Sequence, residues 1–166
     1  MRLGNIFFLV IILLCGIETA RMWMTAPAQM AAHFDAQGIP NRFAPKEQLF
    51  AFQIQLELMM VGLGTLLQIL LRAVPANLMN IPNRAYWLAP ERRKETVERV
   101  SSFSGILFGF ILLTVQAAFE ITIAANLQTP IVFNAPLMLF FIAGDFFAIL
   151  ILLAWLMWSF RIPSSE

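Results

Sequence analysis

Residues 137–160, LMLFFIAGDFFAILILLAWLMWSF, decide the fold, because they form a long apolar run with one ionisable side chain, Asp145. An α-helix rises about 1.5 Å per residue, so roughly 20 mostly apolar residues in a helix cross a bilayer. Three further segments have the same character: 3–24, 50–71 and 103–125. The sequence therefore predicts an all-α, polytopic membrane protein, a single domain over residues 1–166 with four transmembrane helices.

The composition agrees with this class. The chain has 166 residues, of which 60% are hydrophobic and 13% charged, and its mean hydropathy is +0.76. Soluble domains carry about 25% charged residues. A net charge of +1, with most basic residues in one connector, argues against a nucleic-acid partner. Cys15 is the single cysteine, so no disulfide is expected within the chain.

The first segment has an alternative interpretation as a cleaved signal peptide. Arg2 precedes a short, strictly apolar run at residues 6–17, which is the pattern of such a peptide. Residues 22–24 continue the apolar character beyond Glu18 and Arg21, which favours a retained span instead.

The distribution of Lys and Arg predicts the orientation of the helices. The connector 72–102 holds six of these residues, whereas the loop 25–49 holds two and the loop 126–136 holds none. With Arg2 and Arg161 on the connector side and Arg21 at the border of the first loop, the count is eight against three. The positive-inside rule then predicts an N-in/C-in topology, with a basic cytoplasmic connector and an outer loop after the first helix.

The outer loop 25–49 carries turn signals. Asp35 and Gly38 suit the first and last positions of a turn, while Pro40 and Pro45 exclude a helix over the rest of the loop. We therefore expect an ordered loop that packs against the membrane-spanning helices.

Side chains of this loop are candidates for ligand contact. Phe34 and Phe43 are expected to pack on the helices, and His33 is expected to hydrogen bond within the loop or to a helix end. His33 and Asp35 could supply two metal ligands, but that is too few for a dedicated zinc site, so no metal or cofactor is predicted. The sequence shows no nucleophile-base pair or phosphate-binding glycine loop, which argues against an enzyme. The candidate outer-loop residues are His33, Phe34, Asp35, Gly38 and Pro40.

The connector has two predicted parts. Residues 77–90 are expected to be irregular, with the pair Tyr86–Trp87 suited to the lipid headgroup layer. A helix is expected to begin at Pro90, to carry an ion pair between Glu95 and Arg99, and to continue into the third span. In that span, the Gly-x-x-x-Gly pattern at 105–109 favours close helix packing within the chain.

Four acidic residues lie inside the predicted spans, and intramembrane ionisable groups are functional candidates. The helical rise places Glu57 and Asp145 about 13 Å, and Glu120 about 9 Å, inside the outer ends of their helices, with Glu18 in the same half. One interpretation is that each acid lies near the interface without a function. The other is that they line one outward-facing cavity, with Arg21 as the nearest cation. The candidate intramembrane acids are Glu18, Glu57, Glu120 and Asp145.

Two motifs resemble a known bacterial membrane family, domain of unknown function 1648. In the outer loop, the pattern of that family is matched by Pro27, His33, Phe34, Gly38, Pro40 and Lys46. Ala31 stands where the pattern has proline, and Phe43 stands where it has tryptophan. In the connector, residues 80–93, NIPNRAYWLAPERR, resemble a second hallmark, whose candidate residues are Asn80, Pro82, Asn83, Tyr86, Trp87, Pro90, Glu91, Arg92 and Arg93.

The resemblance implies a multi-pass protein of the bacterial inner membrane. The family includes the SdpI-type immunity proteins, which protect a cell from a secreted toxic peptide and sequester a repressor at the membrane. Because the four intramembrane acids outnumber the nearby cations, we expect a non-enzymatic protein that binds or senses a cation or cationic peptide on its outer face, with lipid and a cytoplasmic regulator as partners. The alternative is a small transport subunit that moves protons or a cation through the intramembrane carboxylates.

Overall fold

The computed structural model describes residues 3–162. Arg2, which the charge count used, lies outside the described residues. Within the described residues, four helices are long and apolar enough to cross a membrane, as predicted. The helices are α1 (Leu3–Thr25), α2 (Lys46–Ala73), a short α3 (Arg84–Trp87) in the connector, α4 (Arg93–Asn126) and α5 (Ala135–Ser159). The chain is therefore a multi-pass membrane protein.

The loop between α1 and α2 is a β-hairpin, so the all-α prediction is wrong at this place. Strand β1 (Gln29–Phe34) pairs antiparallel with strand β2 (Pro40–Pro45). Sequence periodicity does not show these strands, because Met30 and Ala31 are both buried and the register is irregular around His33. The usual alternation of buried and exposed strand residues is thereby lost.

The predicted turn is present at the tip of the hairpin. The Gly38 amide donates to the Asp35 carbonyl over 3.0 Å, and Gly38 has φ +79°. A residue with a side chain rarely adopts that φ, which explains the glycine. The carboxylate of Asp35 also accepts from the amides of Gln37 and Ile39, at 2.9 and 2.8 Å.

The prediction of an irregular segment at residues 77–90 is only partly right, because a 3-10 helix (Ala76–Leu78) overlaps its start and α3 (Arg84–Trp87) lies within it. Helix α4 begins at Arg93 rather than at Pro90. The amides of Arg92 and Arg93 both donate to the Ala89 carbonyl, which makes residues 89–92 a turn. From Arg93 the helix runs without interruption into the third span. The predicted ion pair is present, with Arg99 Nη2 2.7 Å from Glu95 Oε1.

Helix α4 lies at the centre and packs against α1, α2 and α5. Its closest approach is to α1, where a Cβ added to Gly105 would lie 2.6 Å from the Gly4 carbonyl oxygen. A Cβ added to Gly109 would lie 2.5 Å from the Phe7 ring. The Gly-x-x-x-Gly pattern therefore serves packing within the chain, as predicted.

Helix α5 packs mainly against α4, and none of its residues is buried. An apolar helix can remain uncovered in a bilayer, because lipid tails are as apolar as its side chains. The separation of α5 from the other helices leaves a wide cleft on the α4 surface.

The bundle has two different ends. The hairpin and the loop 127–134 form one end, which we name the hairpin end. The connector, the beginning of α1 and the end of α5 form the other, which we name the connector end; there Gly4 contacts Ser102 and Asn83 contacts Phe160.

Candidate functional site

The hairpin is fixed to the end of α4 by one side chain, Asn126. Its Oδ1 accepts from the Ala31 amide over 2.6 Å, and its Nδ2 donates to the Ala31 carbonyl over 3.1 Å. Ala31 is fully buried. The family pattern has proline at this position, which has no amide hydrogen to donate, so the departure from the pattern permits this contact.

The hairpin tip also packs against the loop before α5. The Phe133 amide donates to the Gly38 carbonyl over 2.9 Å, and the rings of Phe34 and Phe133 lie 5.1 Å apart. The expected packing of Phe43 is wrong, because its surface is 54% exposed. The hairpin and the loop 127–134 thus form one ordered cap.

The polar motif residues of the hairpin make local contacts. His33 Nδ1 lies 2.6 Å from Asn41 Oδ1 in the facing strand, which is a hydrogen bond within the loop of the kind expected from the sequence. Lys46 donates to the Trp23 carbonyl at the end of α1 and lies 4.5 Å from the centre of the Trp23 ring. These residues build the hairpin and join it to α1, rather than converging on one empty site.

Arg21 joins two of the intramembrane acids across α1 and α4. Its Nε lies 2.5 Å from Glu18 Oε2, and its Nη2 lies 2.5 Å from Glu120 Oε1. The sequence indicated Arg21 only as the nearest cation, and it did not show that Arg21 reaches Glu120 on α4. One guanidinium thus balances two carboxylates, which leaves one negative charge when both acids are ionised.

Glu57 belongs to a separate buried polar layer. Gln53, which has no exposed surface, donates from Nε2 to Glu57 Oε1 at 2.8 Å and to Thr19 Oγ1 at 2.9 Å. The same nitrogen lies 3.3 Å from Gln116 Oε1 on α4. The layer therefore connects α1, α2 and α4 in the interior of the bundle. The spacing of four residues places Gln53 on the face of Glu57 and Gln116 on the face of Glu120, but the meeting of the two glutamines depends on how α2 packs against α4.

The cleft between α4 and α5 contains the fourth acid, Asp145, and is also lined by Glu120. It has a volume of about 700 Å³ and reaches from Asp145 to the loop 127–134, beneath the cap. Glu120 and Asp145 line it together with Gln116, and most of the remaining lining is apolar. Among residues 3–162, no hydrogen bond or ion pair involves Asp145, which is half-buried.

The four acids do not share one cavity, so this part of the prediction is wrong. Glu57 lines a groove of about 660 Å³ between α1 and α2, whereas Glu120 and Asp145 line the cleft on the other side of α4. The helical rise gives the depth of a side chain in the membrane, but it does not give the direction in which each helix is rotated.

Residues of the connector hallmark, together with Arg99, contact the end of α5, and we name this set of contacts the clamp. The carbonyl oxygen of Phe160 accepts from Asn83 Nδ2 at 2.8 Å and from Trp87 Nε1 at 2.9 Å. Arg99 donates to the Ser159 carbonyl and lies 4.5 Å from the centre of the Trp87 ring. Trp87 is buried, so its ring packs within the protein instead of facing the lipid headgroups.

The rest of the hallmark shapes the connector around this clamp. Asn83 has φ +52°, a left-handed conformation that asparagine tolerates better than most residues. Arg93 Nη2 donates to the Val74 carbonyl over 2.6 Å. Arg92 lies over the Tyr86 ring, 3.9 Å from its centre. Asn80, Pro82, Pro90 and Glu91 lie in the irregular segments between these contacts.

Comparison with known proteins matches one part of the chain. Residues 9–56 match the family described as Domain of unknown function (DUF1648), and this range contains most of α1, the hairpin and the first part of α2. Neither a curated protein nor a solved structure matches the chain. The match shows that residues 9–56 of this multi-pass membrane protein are similar to the DUF1648 family, and it leaves α4 and α5 outside the matched range.

Proposed function

We propose that this protein is a non-enzymatic receptor of the bacterial cytoplasmic membrane that binds an amphipathic cation in the cleft between α4 and α5. The observation that carries the proposal is Asp145, a carboxylate without a partner among the described residues, beside Glu120 in a large apolar cleft. A carboxylate inside a membrane is costly unless a positive charge or water accompanies it. A cation with an apolar body would supply the charge and fill the cleft.

The orientation of the protein follows from the positive-inside rule and belongs to the same proposal. The connector carries six Lys and Arg residues, which favours a cytoplasmic position for the connector end. The hairpin end and the mouth of the cleft then face outward. A secreted cationic compound would meet the cap first and enter the cleft beneath it.

The size of the cleft limits the ligand. Sites for drug-sized molecules have volumes of about 300–1,000 Å³, and the cleft has about 700 Å³. The cleft therefore suits a small lipophilic cation, or one cationic segment of a peptide. A toxic peptide, as in the immunity proteins that the sequence resembles, would place one basic residue beside Asp145.

Asp145→Asn tests this function. We expect the purified protein to bind tetraphenylphosphonium, a lipophilic cation, and the variant to bind it at least about 10-fold more weakly, which corresponds to about 1.4 kcal/mol. Equilibrium dialysis of the protein in nanodiscs measures the affinity. Asp145 has no structural partner among residues 3–162, so the substitution is expected to leave the fold intact.

Glu57→Gln is the matched control, because it removes one carboxylate from the α1–α2 groove instead of the cleft. We expect it to retain the affinity of the native protein. Equal affinities for the native protein and the Asp145 variant would contradict the proposal.

A second candidate function, proton movement, is favoured by the polar layer. Glu57 connects through Gln53 to Gln116, which lies one helical turn from Glu120. Proton pathways in membranes use chains of ionisable side chains, and here Glu57 and Glu120 would be the ionisable ends of a chain that water must complete past the two glutamines. If the protein moves protons, reconstituted liposomes should dissipate an imposed pH gradient, and Glu57→Gln should reduce the flux to that of protein-free liposomes.

Asp145→Asn separates the two functions, because Asp145 does not belong to the polar layer. It should weaken cation binding without stopping proton flux. A protein that binds tetraphenylphosphonium but shows no flux above empty liposomes is a receptor and not a transporter of protons.

A further inference from the structure

A second, smaller pocket lies at the connector end, where the end of α2 meets the beginning of α4. Its volume is about 480 Å³. It is lined by Arg72, Pro90, Arg93, Lys94, Val97 and Glu98. Three of these side chains are cationic and one is a carboxylate, so the pocket has a positive excess.

Two of the three cations have no partner within the described residues. Arg93 is held in place by its hydrogen bond to the Val74 carbonyl. Arg72 and Lys94 are exposed and take part in no hydrogen bond or ion pair with any of residues 3–162. The pocket is therefore lined by two cations without a partner among residues 3–162 and by a third, Arg93, whose guanidinium is held by a hydrogen bond.

The positions of the cations on their helices indicate the charge of the ligand. A cation at the end of a helix is favourable, and Arg72 lies in the last turn of α2. Arg93 and Lys94 lie in the first turn of α4, where the positive end of the helix disfavours a cation; the one acidic residue of that turn, Glu95, is paired with Arg99. No side chain caps the beginning of α4. An anion in the pocket would offset the unfavourable position of these two cations.

We infer that this pocket binds the phosphate of an anionic lipid headgroup. The predicted second span ends at residue 71, so Arg72 marks the level at which the hydrocarbon ends and the phosphates begin. Arginine binds phosphate through two parallel hydrogen bonds, and lysine binds it as a point charge. Pro90 and Val97 supply an apolar wall for the glycerol part of the lipid.

This site is independent of the cleft, since it lies at the opposite end of the bundle and uses other residues. It predicts a preference for a lipid with a net negative charge over a zwitterionic lipid. Free inorganic phosphate offers the same chemistry, but without an acyl chain it gains nothing from the membrane. The lipid should therefore bind far more tightly than the free ion.

The test uses the full-length, delipidated protein in detergent. We expect phosphatidylglycerol to bind about 10-fold more tightly than phosphatidylcholine, as measured by native mass spectrometry at increasing lipid concentration. Arg72→Gln combined with Lys94→Gln should reduce this preference to about twofold or less. Neither side chain has a partner among the described residues, so the double variant should fold.

Arg84→Gln combined with Arg161→Gln is the matched control, because it removes two positive charges from the same end of the bundle but none from the pocket. This control should retain the full preference for phosphatidylglycerol. Three results would overturn the inference: no preference in the native protein, an equal loss in the control, or binding of inorganic phosphate as tight as that of the lipid.

Discussion

Gly105→Leu will prevent the stable packing of α1 against α4, whereas Gly144→Leu will leave the fold intact. A Cβ on Gly105 would lie 2.6 Å from the Gly4 carbonyl oxygen, which belongs to helix backbone and has no rotamer to escape the contact. At Gly144, an added Cβ meets no atom within 4 Å. Overpacking of an interior costs about 1–3 kcal/mol even when side chains can adjust. We expect a loss of about 3 kcal/mol or more for Gly105→Leu, because backbone must separate from backbone.

The free energy of unfolding in mixed micelles, measured by titration with dodecyl sulfate, checks this prediction. Both substitutions add the same side chain to a predicted span, so the difference between them reports local packing and not helix propensity or hydrophobicity. Equal stabilities of the two variants would show that α1 and α4 do not approach each other as closely as the structure has them.

The four spans could be predicted from sequence because a bilayer imposes one simple requirement, a long apolar helix. Residues 137–160 satisfy it with a single interruption, Asp145. The ends of the helices depend on other causes. Helix α2 begins at Lys46, before its apolar run, because the second strand leads directly into it.

The hairpin could not be predicted in the same way. Its turn was visible in Asp35 and Gly38, because turn chemistry is local. The place of its strands in the fold depends on Asn126, whose side chain makes two hydrogen bonds with the backbone of Ala31. These two residues lie 95 positions apart in the chain. A contact of that kind has no signature in the local sequence.

For the four acids, the sequence indicates the position of each side chain along its helix but not the direction in which the side chain points. Counting residues along each helix placed the four acids on the predicted spans, and all four lie on the long apolar helices of the structure. It could not indicate that Arg21 reaches Glu120 on another helix, or that Glu57 faces away from Asp145. Those facts depend on how each helix is rotated about its own axis, which the packing of Gly105 on α1 helps to determine.

Trp87→Phe combined with Asn83→Gly will release the end of α5. Phe160 is almost completely buried, and its carbonyl accepts from both side chains. Phenylalanine keeps an aromatic ring at residue 87 but has no Nε1–H to donate. Glycine at residue 83 adopts the left-handed conformation without strain and removes the Nδ2 donor. Either change alone leaves one donor, and the pair leaves a buried carbonyl without a side-chain donor.

The expected cost is about 1 kcal/mol for each single substitution and about 3 kcal/mol for the pair, because an unsatisfied buried acceptor costs more than one lost hydrogen bond. Free energies of unfolding for the two single variants and the double variant complete a double-mutant cycle. Trp155→Phe is the control. It replaces the same type of side chain with phenylalanine, but at an exposed position of α5 outside the clamp. The control should match the native protein. If the loss of stability in the double variant equals the sum of the two single losses, the Phe160 carbonyl has found another donor. The connector hallmark would then not fix the end of α5. Packing against α4 would be the main contact that holds α5 in place.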